Sequence, residues 1–133
     1  MVAQADKSYM IFMTTDHKLG KQGEKIACDY LQKTNFSILN KNWRSGKYGE
    51  IDIVALDDNT KDLVFIEVKT RTTSLNDAKE LVTKKKQQKL YNLAKNYLAL
   101  NNKENTICRF DVIAIKMNEE GKAIEHIKNA FYL

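Results

Sequence analysis

Residues Gly49–Arg71, GEIDIVALDDNTKDLVFIEVKTR, decide how this chain is read. Two β-branched apolar runs, Ile51–Leu56 and Leu63–Val68, flank the polar stretch DDNTKD, the pattern of an antiparallel hairpin. Side chains alternate along a strand, so Glu50, Asp52 and Val54 are expected on one face and Ile51, Ile53 and Ala55 on the other. On the second strand Phe65, Glu67 and Lys69 share a face, opposite Ile66, Val68 and Thr70. A carboxylate inside each apolar run is costly to desolvate. Buried charge is tolerated only when it is paired, hydrogen-bonded or bound to a metal. Asp52, Glu67 and Lys69 therefore read as a site.

Upstream of the hairpin, Leu19, Gly20, Gly23, Ile26, Ala27, Tyr30 and Leu31 recur at helical spacing from about His17 to Lys33, with Asp16 as N-cap. On that helix Glu24 borders the apolar face, while Lys21, Lys25, Asp29 and Gln32 fall on the far side. Periodicity supports equally a boundary glutamate reaching back to solvent and an inward-facing acid at Glu24. Residues 1–16 read as a flexible N-terminal extension and residues 17–133 as a single domain. A short strand, Asn35–Trp43, and a glycine-containing turn, Arg44–Gly49, lead into the hairpin. Arg44 and Lys47 in that turn can contact phosphate or remain solvated. Trp43 can stack on a base or cap the core.

Downstream, a helix starting at Ala78 or Thr83 runs to Leu100 with Leu90, Leu93, Ala94, Tyr97 and Leu100 as its apolar stripe. Lys86 and Gln87 fall on the stripe side, whereas Lys84, Lys85 and Gln88 point away. Basic residues at a helix start oppose its dipole, a placement that a phosphate ligand would reconcile. Two further strands, Ile107–Lys116 and Ala123–Phe131, complete the order helix, three strands, helix, two strands.

The charge balance is +5, which favours polyanionic partners. With no apolar run long enough to cross a bilayer, a soluble protein without a membrane partner is expected. The two cysteines, Cys28 and Cys108, suit packed thiols in a reducing cytoplasm rather than a disulfide or zinc site.

Carboxylates on neighbouring strands can hold a hard cation such as Mg²⁺ through oxygen, leaving room for water and substrate phosphate. Asp52 and Glu67 fit that role, and Glu24 can add a third acid. Lys69, on the same face as Glu67, can orient an attacking water or stabilise a negatively charged transition state. A purely structural pair, Lys69 with Glu67 or with Asp52, is the bland alternative.

Asp52 followed by the Glu67-Val68-Lys69 triplet resembles the PD-(D/E)XK nuclease motif on an αβββαβ core. The segments GKQGEKIA (20–27), Asn42, GEIDIVA (49–55), FIEVKTR (65–71), Lys86 and RFDV (109–112) resemble the YraN-like family of small bacterial proteins. This resemblance implies an α/β, restriction-endonuclease-like fold with a mixed central sheet flanked by helices, related to archaeal Holliday-junction resolvases. By analogy it implies hydrolysis of DNA, branched or junction DNA included, with Mg²⁺ or Mn²⁺ as cofactor and a homodimer as the assembly. Carried across, Glu24, Asp52 and Glu67 match the metal-binding acids and Lys69 the catalytic lysine. Arg44, Lys47, Arg71, Lys86 and Gln87 are the candidate nucleic-acid contacts. Gln87 and Tyr91 also resemble the Q-x-x-x-Y pattern of RecB-like nucleases, and Ile51 stands where the motif's proline would be. A non-catalytic nucleic-acid-binding or assembly module retaining the fold is the competing reading.

Overall fold

The computed structural model describes the backbone of residues 2–73 and 82–132, with side chains from residue 18 onward. A five-stranded sheet in the order β1-β2-β3-β4-β5 forms its centre. Its strands are β1 (Phe36–Arg44), β2 (Glu50–Asp57), β3 (Leu63–Arg71), β4 (Cys108–Asn118) and β5 (Gly121–Ile127). Helix α1 (Val2–Lys33) precedes β1, and α2 (Lys84–Leu100) connects β3 to β4. Among the described strands only the β3–β4 pair is parallel, as the helical crossover between those strands requires. The order and mixed sheet are those of the αβββαβ restriction-endonuclease-like core, with β5 added at one edge.

The central strands are covered on both faces, which accounts for their near-continuous apolar sequence. Ala27, Cys28 and Leu31 of α1 pack on Ile53, Ala55, Val64, Ile66, Ile113 and Ile115. Leu90, Leu93, Ala94 and Tyr97 of α2 pack on Val54, Leu63, Phe65, Phe110 and Val112. Thr83 caps α2, its side chain accepting from the Lys86 backbone N–H. Trp43 lies against the α2-side core, edge-on to Tyr97 at 5.2 Å between ring centres, so it caps the core. Both cysteines are free, Cys28 in one core and Cys108 beside the other.

Four expectations are corrected. Helix α1 begins well before Asp16, which is therefore not its N-cap; the expected N-terminal extension falls on residues whose side chains lie outside those described. Ile51 packs in the same core as Val54 rather than with Ile53 and Ala55. Strict alternation thus slips between Ile51 and Val54, where Asp52 stands. Leu100, the last residue of α2, does not join the stripe but is 72% exposed. The last strand stops at Ile127, and the chain then turns back so that Ala130 N–H donates to Phe110 O and Phe131 stacks on Phe110. The helix start proposed at Ala78 falls outside the described residues.

Two glycines set how the layers meet. At Gly23 a Cβ would run into the Thr70 hydroxyl, so α1 touches β3 there only because the side chain is missing. Gly49 has φ of 114°, a left-handed conformation that lets the chain enter β2 immediately before Glu50.

Candidate functional site

The β2–β3 ladder pairs Ile53 with Ile66 through Leu56 with Leu63. Past Ile53 the hydrogen bonding changes: Asp52 Oδ2 accepts from the Val68 backbone N–H at 2.9 Å. A side-chain carboxylate thus takes the place of a main-chain partner where the strands separate. Separation opens a cleft of about 500 Å³ lined by Glu24, Asp52, Glu67, Lys69, Thr70 and Arg71 among others. Glu24 arrives there from α1, on the turn that Gly23 seats against Thr70.

Glu67 is buried, and its Oε1 faces Lys69 Nζ at 3.7 Å and Lys86 Nζ at 3.8 Å. Among the described residues, its buried Oε2 has no hydrogen-bond partner. An orphaned buried carboxylate oxygen is costly unless something binds it. Burial, then the charge of Asp52, pushes Glu67 from its ordinary value of 4.5 up to about 7. Asp52 is also raised, by burial first, although the Val68 N–H and the Lys86 ammonium act against that. Burial and then Asp52 likewise raise Glu24, while the Asn42 side chain acts in the opposite direction. Several acids here are held in surroundings that disfavour their charged forms, as expected of a site short of positive charge.

Glu50 is a further acid of the cluster that was not singled out in the sequence. One carboxylate oxygen from each of Glu24, Glu50 and Asp52 lies within 4.8 Å of the other two. Such spacing suits oxygen ligands of one hard cation. The signal was available, because Glu50 stands two residues before Asp52. Asn42, which carries part of the family resemblance but was given no role there, borders Asp52 and Glu24 in a neighbouring cleft and has φ of 49°.

The remaining candidates divide. Arg71 lines the main cleft, its guanidinium donating to Thr70 O at 2.9 Å. Lys86 reaches the centre from α2. Arg44 is tied to Glu50 by a 3.0 Å ion pair and is otherwise largely exposed. Lys47 is exposed in the short turn Gly46–Tyr48 and is not among the residues lining the cleft. Gln87 is not brought to the acids: its amide donates to Val82 O and borders a different cleft, near Phe131.

A family model described as "Uncharacterised protein family UPF0102" matches residues 23–115, from the α1 seat to the end of the β4 core. The chain belongs to this family. A UPF0102 protein of Thermodesulfovibrio yellowstonii is 49% identical over 116 residues, covering 86% of this chain and 96% of the relative. A UPF0102 protein of Treponema denticola is 43% identical over 123 residues, covering 85% and 94%. One of Francisella tularensis subsp. novicida is 47% identical over 116 residues, covering 86% and 94%. The span matched by the UPF0102 model contains Glu24, Glu50, Asp52, Glu67, Lys69 and Lys86. Among the described residues of this UPF0102 protein, no helix is long and apolar enough to cross a membrane.

Proposed function

We propose that this UPF0102 protein is a divalent-metal-dependent nuclease that hydrolyses phosphodiester bonds of DNA, with Mg²⁺ or Mn²⁺ as cofactor. One observation carries the reading: the buried Oε2 of Glu67, unpartnered among the described residues, beside Asp52 and Lys69 at an open cleft. A purely structural triad would be expected to satisfy both oxygens of so deeply buried an acid. The donor set fits a hard cation, since it is made of carboxylate oxygens with water-accessible space beside them.

Asp52 and Glu67 would hold the cation, and Glu24 and Glu50 bring further carboxylate oxygens to within 4.8 Å of one on Asp52. The bound ion supplies Lewis acidity and a more acidic water. Asp52 is fixed for this work by the Val68 N–H, so its orientation does not depend on a ligand. Lys69 orients the attacking water and stabilises charge that develops on the phosphate. Lys86 reaches the same Glu67 oxygen from α2 and neutralises part of its charge. Arg71 offers a second cation along the same lip, suited to a neighbouring phosphate.

Action on branched or junction DNA, as a homodimer, follows from the resemblance to the resolvases and stands with the nuclease reading. The two free thiols are compatible with work in the cytoplasm. Cleavage of single-stranded, duplex, flap and four-way-junction DNA with Mg²⁺ or Mn²⁺ tests the proposal, with Asp52→Ala and Lys69→Ala alongside. Metal-dependent cleavage lost in both folded variants is the expected result. Salt-sensitive DNA binding without cleavage of any substrate, unchanged in both variants, would instead favour a binding or assembly module.

A further inference from the structure

Behind Glu24 lies a second cleft, of about 400 Å³, between α1 and the β1–β2 edge. It meets the main cleft at Glu24 and Asp52, the residues that line both. The acid cluster is therefore a partition between two open spaces, not the floor of one. The second cleft has cations on both walls: Lys21 and Lys25 from α1, and Lys41 from β1. Lys21 and Lys25 are one helical turn apart and so stand on the same side of α1. All three lysines are exposed, and among the described residues none forms an ion pair. Gln32 and Asn42 add neutral donors, Asp29 is an opposing charge at the rim, and Cys28 with Ile53 gives an apolar floor.

Resting on the nuclease reading, we infer that this second cleft binds the phosphodiester backbone of one DNA strand on the side of the reacting phosphate away from Lys69. A strand with one phosphate at the acids carries further phosphates in both directions. Arg71, beyond Lys69 in the main cleft, receives those on the β3 side. On the other side the chain would meet only carboxylates unless cations followed them, and Lys21, Lys25 and Lys41 occupy that position. Phosphate contacts of this kind fix register without reading sequence. The apolar floor accommodates a sugar or base edge, which separates a polynucleotide from a free inorganic anion as occupant.

The test is the salt dependence of binding to a labelled single-stranded DNA oligonucleotide in Ca²⁺, with the probe verified intact. Wild type is compared with the combined Lys21→Gln, Lys25→Gln, Lys41→Gln variant and with a Lys103→Gln, Lys122→Gln control. Each single-strand phosphate contact adds about 0.7 to the slope of log affinity against log salt, so the triple variant should lose about 2. The control should keep the wild-type slope. An unchanged slope in the triple variant, with salt-sensitive wild-type binding, overturns the second-cleft track and leaves the catalytic reading standing. An equal loss in triple variant and control also overturns the track, by making it general surface charge. No salt-sensitive binding by wild type overturns the track and the nuclease reading together.

Discussion

The backbone N–H of Val68 donates to Asp52 Oδ2 at 2.9 Å, immediately beyond the last β2–β3 rung between Ile53 and Ile66. The bond fixes the acid and at the same time satisfies a donor that strand separation would otherwise leave unpaired. The two roles come apart under substitution. Asp52→Asn keeps an acceptor for Val68 and removes the charge, so it should fold with near-wild-type stability and lose divalent-ion affinity. Asp52→Ala should in addition destabilise by about 1–3 kcal/mol, the cost of an unsatisfied buried donor. Denaturant unfolding and Mn²⁺ titration calorimetry on both variants check this.

Stability without divalent ions should fall as pH rises toward neutrality. Glu67 moves from 4.5 to about 7 on folding, so the folded state prefers its protonated form. That contribution is fully present below the ordinary value and is lost as pH rises through about 7. A shift of this size corresponds to about 3 kcal/mol, shared with Asp52 because the pair titrates together. Glu67→Gln should weaken the dependence, leaving the part that the burial of Asp52 contributes, and should exceed wild type in mildly alkaline buffer. Unfolding midpoints across the range, with and without Mg²⁺, measure it, and Mg²⁺ should restore the wild type at the alkaline end.

Gly23→Ala should displace α1 from β3, because the new methyl meets Thr70. Overpacking of this kind costs about 1–3 kcal/mol. Glu24 follows Gly23 directly, so ion affinity should fall more than that of an equally destabilised variant on the α2 side, such as Leu93→Val. Titration calorimetry at matched folded fraction separates the two effects.

Arg109→Met should be severely destabilising, by about 3–5 kcal/mol, through uncompensated buried charge. Arg109 pairs with Asp57 at 2.9 Å, Asp62 at 3.1 Å and Asp111 at 3.0 Å. His126 in turn contacts Asp111 at 2.8 Å and Tyr30 at 2.9 Å. Burial alone would raise Asp57 and Asp111, but hydrogen bonds outweigh it: chiefly Arg109 for Asp57, and His126 followed by Arg109 for Asp111. Both carboxyls end below the ordinary 3.8, so their stabilisation is present above that value and is lost as pH falls through the lowered one. Acid unfolding followed by circular dichroism should therefore show a step below about pH 4 that is diminished in Arg109→Met, where His126 still holds Asp111. The RFDV segment is on this account a brace between strands and no part of the acid cluster.

Period and composition in the sequence already determined the elements of the fold. The alternating runs around DDNTKD gave the β2–β3 hairpin, and the helical spacing of Leu90, Leu93, Ala94 and Tyr97 gave the buried stripe of α2. Acids set among apolar residues drew attention to Asp52 and Glu67, because desolvation makes such placements costly wherever the chain folds them. These are local properties, carried by neighbouring side chains, and one sequence suffices to read them. The tertiary structure decided the rest. It put Ile51 with Val54, brought Glu50 within reach of Glu24, and turned Gln87 to Val82 O. It also made Arg109 the partner of three acids from two other segments and its own strand. Each of these depends on where separated strands part and how helices seat across them. Periodicity specifies which face a residue occupies, but a local slip in alternation or the partner across a cleft is set by long-range packing.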